Sequence, residues 1–331
     1  MSAPTKKINT IQAVNMALHY AMAKDPSVIL LGEDVADGQG GGVLGVTQGL
    51  SSKYGQARVR STPISEQAIV GAAIGAAIAG MRPVAEIMLM NFTTVAMDMI
   101  VNHAAKLRFM SGGQTHVPLT IRTMTGAGTG NGGQHADYLE AWFAHTPGIK
   151  VVAPSSPAEA YGLLLSCIDD DDPCLFIENM PAYWTSGEPP EEGKSIPLGK
   201  ANIVRSGADI TVISYSNAVN TCEVAAAKLA GEGIGVELID LRTVAPFDVQ
   251  TIIASVAKTR RAVIVHEAVK SFGVGAEIAA CIDEHLHGQL KHRVVRLGAP
   301  ACPVPFSKPL ETAYMPSAER IEVAIRGCLA G

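Results

Sequence analysis

The sequence predicts an α/β protein built from two consecutive domains, each a parallel sheet covered by helices. Three observations carry that expectation. Short apolar runs alternate with segments of helical period along the whole chain, the pattern of strand–helix–strand units whose sheets are buried on both faces. The alternation breaks once, between Pro181 and Leu198, where Gly187, Pro189, Pro190, Gly193 and several acids collect, a linker composition. The length of 331 residues is room for two cores at about 150 residues per domain. The expected boundaries are 1–185 for the first domain, 186–200 for the linker and 201–331 for the second domain.

In chain order, Ile11–Ala23 has helical periodicity and Val28–Leu31 is a strand-like run ending at Gly32-Glu33-Asp34. Gly38–Gly42 is a loop. Thr62-Pro63-Ile64-Ser65 leads into an Ala/Gly helix over 67–80, with Ser65 placed to cap it. Gly71, Gly75 and Gly80 each cost that helix about 1 kcal/mol relative to Ala, so close approach of another backbone is the expected return. Pro83–Met90 reads as a buried strand, Thr94–Arg108 as a helix and Val117–Met124 as a strand. A second glycine run, Gly126–Gly133, delivers His135. Lys150–Ala153 is a strand, Ser156-Pro157-Ala158-Glu159 has the cap and proline of a helix start, and Cys174–Glu178 closes the set. Past the linker, strands at Ile210–Tyr215, Gly235–Asp240, Ala262–His266 and Arg293–Leu297 alternate with helices over 218–230, 248–257 and 274–287.

Composition removes several classes of function. Lys and Arg number 26 against 31 Asp and Glu, a net charge of −5, so no basic surface stands ready for nucleic acid. Six cysteines without a CxxC pair argue against a disulfide framework or zinc ribbon and fit a reducing, cytoplasmic compartment. Met1–Thr10 carries Lys6 and Lys7 with no apolar run behind them, unlike a signal peptide. Gln67–Met81, an uncharged stretch rich in Ala and Gly, has 15 residues, short of the ~20 that cross a bilayer. A soluble enzyme-sized chain without a membrane segment is expected.

Gly128-Thr129-Gly130-Asn131-Gly132-Gly133 matches GxGxxG. A dinucleotide site needs a helix opening at the glycines and an acid about 20 residues on; here the run ends in Gln134-His135 and Pro154–Pro157 stand at that distance. A flexible surface loop and a loop that brings His135 to a bulky ligand both stay open. GxxxxGK[ST] and HExxH are missing. Glu33 follows a buried strand, where parallel sheets place ligands. Glu66 begins a helix, where an acid is also explained by the helix dipole.

The chain resembles the β subunits of thiamine diphosphate-dependent 2-oxo acid dehydrogenases, among them those of acetoin dehydrogenases. The resemblance spans about residues 8–325 and rests on Gly32-Glu33-Asp34-Val35, Gly41-Gly42-Val43, Thr62-Pro63-Ile64-Ser65-Glu66, Gly80–Glu86, Gln134-His135, Pro147–Val152 and Asp240-Leu241-Arg242-Thr243. It implies a transketolase-like pyrimidine-binding domain followed by a transketolase C-terminal-like domain. It also implies that magnesium and the diphosphate sit on a separate α subunit, in keeping with the absence of GDG here.

Residue by residue, the resemblance implies that Glu66 faces N1′ of the aminopyrimidine and shares its proton, and that Phe92 and Met88 pack on the ring, with Glu33 beside the cofactor. His135 matches the histidine at which the acyl group passes to lipoamide; family members commonly read Gln-His-Ser where this chain has Ala136. Glu33 and Asp98 match acids of a proton route between paired sites. Several members bind potassium, and the corresponding ligands would be the backbone oxygens of Leu119, Cys167 and Ile168 with Asp170 and Asp172. The implied assembly is an α₂β₂ heterotetramer docked on a dihydrolipoyl acyltransferase core, acting on a small carbonyl substrate. Gly42–Thr47, Ile121–Met124 and Val304–Ser307 lie closer to acetoin dehydrogenases, whereas Ala182–Thr185 fits neither group. Alternatives are a pyruvate or branched-chain 2-oxo acid dehydrogenase β subunit, the C-terminal half of a split transketolase, and an inactive interaction subunit.

Overall fold

The computed structural model describes residues 7–330; residues 1–6 of the expected first domain and Gly331 lie outside the described residues. Two compact units form. One comprises the described residues up to Thr125 together with Trp142–Leu198, the other Gly126–Ala141 together with the chain from Gly199 onward. Residues 126–141, the segment carrying His135, lie within the expected first domain in sequence and pack with the second unit.

The first unit holds six parallel strands in the order Lys150–Val152, Cys174–Asn179, Thr120–Thr125, Arg82–Leu89, Val28–Gly32, Val59–Ser61. Alternation along each strand divides the core. Val28, Leu30 and Val84 share a cluster with Ala13, Ala17 and Leu18 of helix Thr10–Lys24 and Leu164 of helix Pro157–Asp169. Helix Glu66–Ile78 packs against strands Arg82–Leu89 and Val28–Gly32. Helix Thr10–Lys24 begins at a reciprocal cap: the Asn9 side chain accepts from Gln12 N at 2.9 Å, and Gln12 Oε1 accepts from Asn9 N at 3.0 Å. Ser156 caps helix Pro157–Asp169 as its sequence suggests, accepting from Glu159 N.

Three local expectations need correction. Ser65 occupies the N-cap position of helix Glu66–Ile78 but its side chain makes no capping bond. Among the described residues nothing beyond the adjoining backbone lies within 4 Å of a Cβ placed on Gly75 or Gly80, and a Cβ at Gly71 would meet only the Met99 side chain at 3.4 Å. The segment expected as one helix over 94–108 is a 3₁₀ turn Met90–Thr94, a π turn Met99–Ala104 and a short helix Leu107–Met110. Thr93 and Thr94 donate their hydroxyls back to Met90 O and Asn91 O at 2.6 and 2.7 Å, a local alternative to a regular helix.

The second unit has five strands in the order Val295–Ala299, Ala262–Val269, Ile210–Ser214, Val236–Asp240, Asn202–Arg205. The first four are parallel and Asn202–Arg205 is an antiparallel edge. Helices Ala218–Ala230 and Ala318–Ala330 pack together with Ile210, Val212 and Val263 in one cluster. Helices Val249–Thr259 and Val274–Leu286 pack with each other.

Candidate active site

Parallel strands of the first unit end at the candidate carboxylates. Pro63 disfavours helical backbone at Thr62, and helix Glu66–Ile78 opens on Glu66 as the acid of its first turn. Glu66 is only 8% exposed. Glu33 stands one residue beyond strand Val28–Gly32. Its carboxyl pKa is pushed up, first by burial and then by the negative charges of Glu66, Asp34 and Glu86. Glu33 thus lies close enough to feel the Glu66 carboxylate, and its own carboxyl keeps a proton more easily than in water. Met88 and Phe92, half-buried, pack against the same core cluster, which also includes Val46. Asp98 is exposed and pairs with its own helical turn, accepting from Asn102 Nδ2 at 2.8 Å and lying 3.5 Å from His103 Nε2.

Next to Met88 lies a group that motif reading missed. Arg122, on strand Thr120–Thr125, donates Nη1 to Glu86 Oε2 at 2.6 Å, Nε to Glu178 Oε1 at 2.7 Å and Nη2 to Glu178 Oε2 at 2.9 Å. Tyr183 OH donates to Glu178 Oε2 at 2.6 Å. All four are buried. Burial opposes the guanidinium charge, but Glu178 and Glu86 outweigh it and raise the Arg122 pKa; burial and then Glu178 push the Tyr183 phenol far up. The network lines a cavity of about 10 Å³ with Val43, Leu44, Val46 and Met88, the space of a single water. The available signal was a charge inside each of three apolar strands, which register alone brings together. The loop over this wall needs glycine at 41: φ is +68°, and a Cβ would run into the Gln48 backbone. A second, open depression of about 630 Å³ around Ser51, Gln56 and Arg60 contains none of the candidate residues.

His135 belongs to the second unit, where its N–H donates to Gly132 O at 3.2 Å. Ala136, in the place where the resemblance led one to expect serine, is buried in an apolar cluster with Ala127, Ala299, Val304 and Tyr314. A methyl group fits that surrounding, and a hydroxyl there would need a partner.

Of the residues expected to hold potassium, Ile168, Asp170 and Asp172 are engaged by the chain's own cations, and Leu119 and Cys167 by backbone N–H groups. Arg82 Nη1 donates to Ile168 O and Asp170 O at 3.1 and 3.0 Å. Lys150 Nζ bonds Asp170 Oδ1 at 2.7 Å, and Arg108 bonds Asp172 Oδ1 at 2.6 Å. Leu119 O accepts from Cys174 N at 2.9 Å and Cys167 O from Asp170 N at 3.4 Å. Among the described residues, no three His, Cys, Asp or Glu side chains converge as a metal site.

Residues 6–184 match the pyrimidine-binding domain of transketolase, and residues 199–321 match the transketolase C-terminal domain. Over 98% of its length the chain is 45% identical to subunit beta of an acetoin:2,6-dichlorophenolindophenol oxidoreductase from Cupriavidus necator, covering 98% of that protein. The chain belongs to the β-subunit family of thiamine diphosphate-dependent 2-oxo acid dehydrogenases. The Bacillus subtilis protein of the same name is 43% identical, with 95% of each chain covered. A pyruvate dehydrogenase E1 component subunit beta from Staphylococcus epidermidis is 42% identical, over 95% of this chain and 96% of that one. Among solved structures, a split gene transketolase described as an inactive β4 tetramer superimposes with a TM-score of 0.80 at 20% identity, over 98% of this chain and 99% of that one; this is a likeness of fold. In this β subunit, the matched pyrimidine-binding segment includes 126–141 in sequence, although that segment packs with the second unit.

Proposed function

We propose that this β subunit forms, with an α partner, an enzyme that cleaves acetoin and passes the acyl group to lipoamide. The observation that carries the reading is the carboxylate pair Glu33 and Glu66 at the strand ends of the pyrimidine-binding domain, with Glu33 pushed toward its protonated form by burial and by Glu66. The residues present suit thiamine diphosphate: a buried acid at a helix start, with half-buried Phe92 and Met88 to pack on a flat ring. Bound there, that cofactor supplies a nucleophilic carbon able to attack a carbonyl.

This chain's share is proton handling and orientation. The Glu66 carboxyl would share a proton with N1′ of the aminopyrimidine, and Glu33 keeps a neighbouring proton in reserve. Asp98 continues a proton route. His135 orients or protonates the reacting group as the acyl group leaves for lipoamide. Magnesium and the diphosphate fall to the α partner. Potassium is left out of the reading, because Arg82, Lys150 and Arg108 already supply the positive charge its ligands would neutralise. We place the pyrimidine-binding domain at 1–185 and the transketolase C-terminal-like domain at 201–331, joined by 186–200. We read the complex as an α₂β₂ heterotetramer on an acyltransferase core. Six free cysteines, five of them buried, suit a reducing cytoplasm; among the described residues no helix is long and apolar enough to cross a membrane.

The deciding experiment copurifies the chain with its α partner and compares kcat/KM on acetoin, pyruvate and branched 2-oxo acids with a lipoyl acceptor. Acetoin is expected to lead. The pyruvate dehydrogenase relatives at 42% identity support pyruvate as the second reading, and a pyruvate preference of tenfold or more would replace acetoin with it.

A further inference from the structure

The glycine run that carries His135 has the geometry of an anion cradle. Gly126, Gly128, Gly130 and Gly132 all have positive φ, from 67° to 131°, and such left-handed turns aim backbone N–H groups into a concavity. The concavity is filled by a carboxylate of this chain. Glu311 Oε1 accepts from Gly128 N at 2.5 Å and from Gly130 N at 3.1 Å, and Glu311 Oε2 accepts from Gly130 N at 3.2 Å. Glu311 is completely buried. Lys308, three residues earlier on helix Lys308–Tyr314, donates Nζ to Gly128 O at 3.1 Å. A Cβ at Gly132 would overlap the Phe306 ring, and one at Gly133 would press on Pro303 Cβ at 3.1 Å. On the far side of His135, Tyr138 OH donates to Glu267 Oε2 at 2.5 Å and Tyr215 OH donates to Glu140. His135 is held between two anchored stretches of one unit.

We propose that Glu311 is the positioning residue for His135, acting through the glycine loop and touching no substrate. The proposal rests on the reading of His135 given above. Glycines lose more conformational freedom on ordering than other residues, so a loop this rich in them needs specific bonds to keep one shape. Carboxylate–amide bonds are about twice as strong as neutral ones. A displacement of about 1 Å at a reacting group lowers rates by about 100-fold, so a loosened loop is read out in the transfer step.

The test uses Glu311→Ala, Glu311→Gln and His135→Ala in the complex with the α partner. Glutamine keeps one acceptor oxygen but turns an NH₂ group toward an amide N–H, and it serves as the test should the alanine variant fail to assemble. In Glu311→Ala the amides of 128–135 are expected to exchange hydrogen at least about tenfold faster, with peptides of the first unit unchanged. Acyl transfer to lipoamide should fall about 30- to 100-fold, with hydrogen–deuterium exchange at the cofactor C2 carbon within twofold of the parent. Glu311→Gln should lose about three- to tenfold in transfer, and Glu311→Ala on top of His135→Ala should lose nothing further. Unchanged loop exchange, or transfer within twofold of the parent while His135→Ala abolishes it, overturns the proposal and leaves the reading of His135 standing. Unimpaired transfer in His135→Ala overturns that reading and the positioning role with it.

Discussion

Replacing Arg122 with methionine removes a cation that makes three charge-assisted bonds of 2.6 to 2.9 Å to two buried carboxylates. Removing one partner of a buried ion pair costs about 3–5 kcal/mol, because a charge is left uncompensated. For a unit of this size each kcal/mol moves Tm by about 2–4 °C, so the transition of the first unit should fall by about 6–20 °C. Glu86 and Glu178 then lie in the same buried space with no cation, and burial with mutual repulsion raises their pKa values. An acid whose folded pKa exceeds its unfolded value of about 4.3 withdraws stability as pH climbs from one to the other. The deficit of Arg122→Met should therefore be smallest near pH 4.5 and full by pH 8. Calorimetry at the two pH values measures it, and adding Glu86→Gln and Glu178→Gln should recover most of the loss at pH 8. A fall below 2 °C at pH 8, or a deficit independent of pH, would refute the reasoning that Arg122 compensates two buried carboxylates.

Four further outcomes follow from the same structure. Glu66→Gln should leave assembly intact and slow proton exchange at the cofactor C2 carbon by at least about 100-fold; near-normal exchange would assign the work to another acid. His266 is buried with its pKa lowered to about 4, burial being the main cause. Its neutral form contributes stability that is fully present above about pH 6.5 and lost as pH falls toward 4, worth about 3 kcal/mol over that span; His266→Gln should flatten the acid limb of a urea-unfolding pH series for the second unit, and an unchanged slope counts against it. Exchange of potassium for a quaternary ammonium ion should leave Tm and turnover unchanged, because Arg82, Lys150 and Arg108 already engage Ile168, Asp170 and Asp172; a potassium-dependent rise of several degrees would restore the ion. The exposed Ala68, Ala72 and Gly75 face of helix Glu66–Ile78 should be covered on assembly, so light scattering of the chain without its partner should show a dimer or aggregate, and a stable monomer at micromolar concentration would contradict the shared-site model.

Legibility followed the range of the interaction. Helix Thr10–Lys24, the Ser156 cap, the strand ending at Gly32 and helix Ala218–Ala230 could be read because their causes lie within a few residues: periodicity, a capping side chain, a proline at the first turn. The carboxylates Glu33 and Glu66 were legible for the same reason, since each sits where a local element ends or begins. The edge strand Asn202–Arg205 went unread because its two apolar residues show no period, and Thr94–Arg108 was read as one helix because side-chain bonds to the backbone leave apolar spacing intact.

What the sequence by itself determined is the order of elements, the two-domain layout and the acids at the element ends. The tertiary structure alone decided that Glu86, Arg122 and Glu178 meet, since only strand register carries them together across three strands. It also decided that the His135 loop packs with the second unit and is bound by a carboxylate 183 residues further along the chain. Near-neighbour interactions are encoded in spacing, whereas a bond between distant residues exists only after loops have closed and strands have paired.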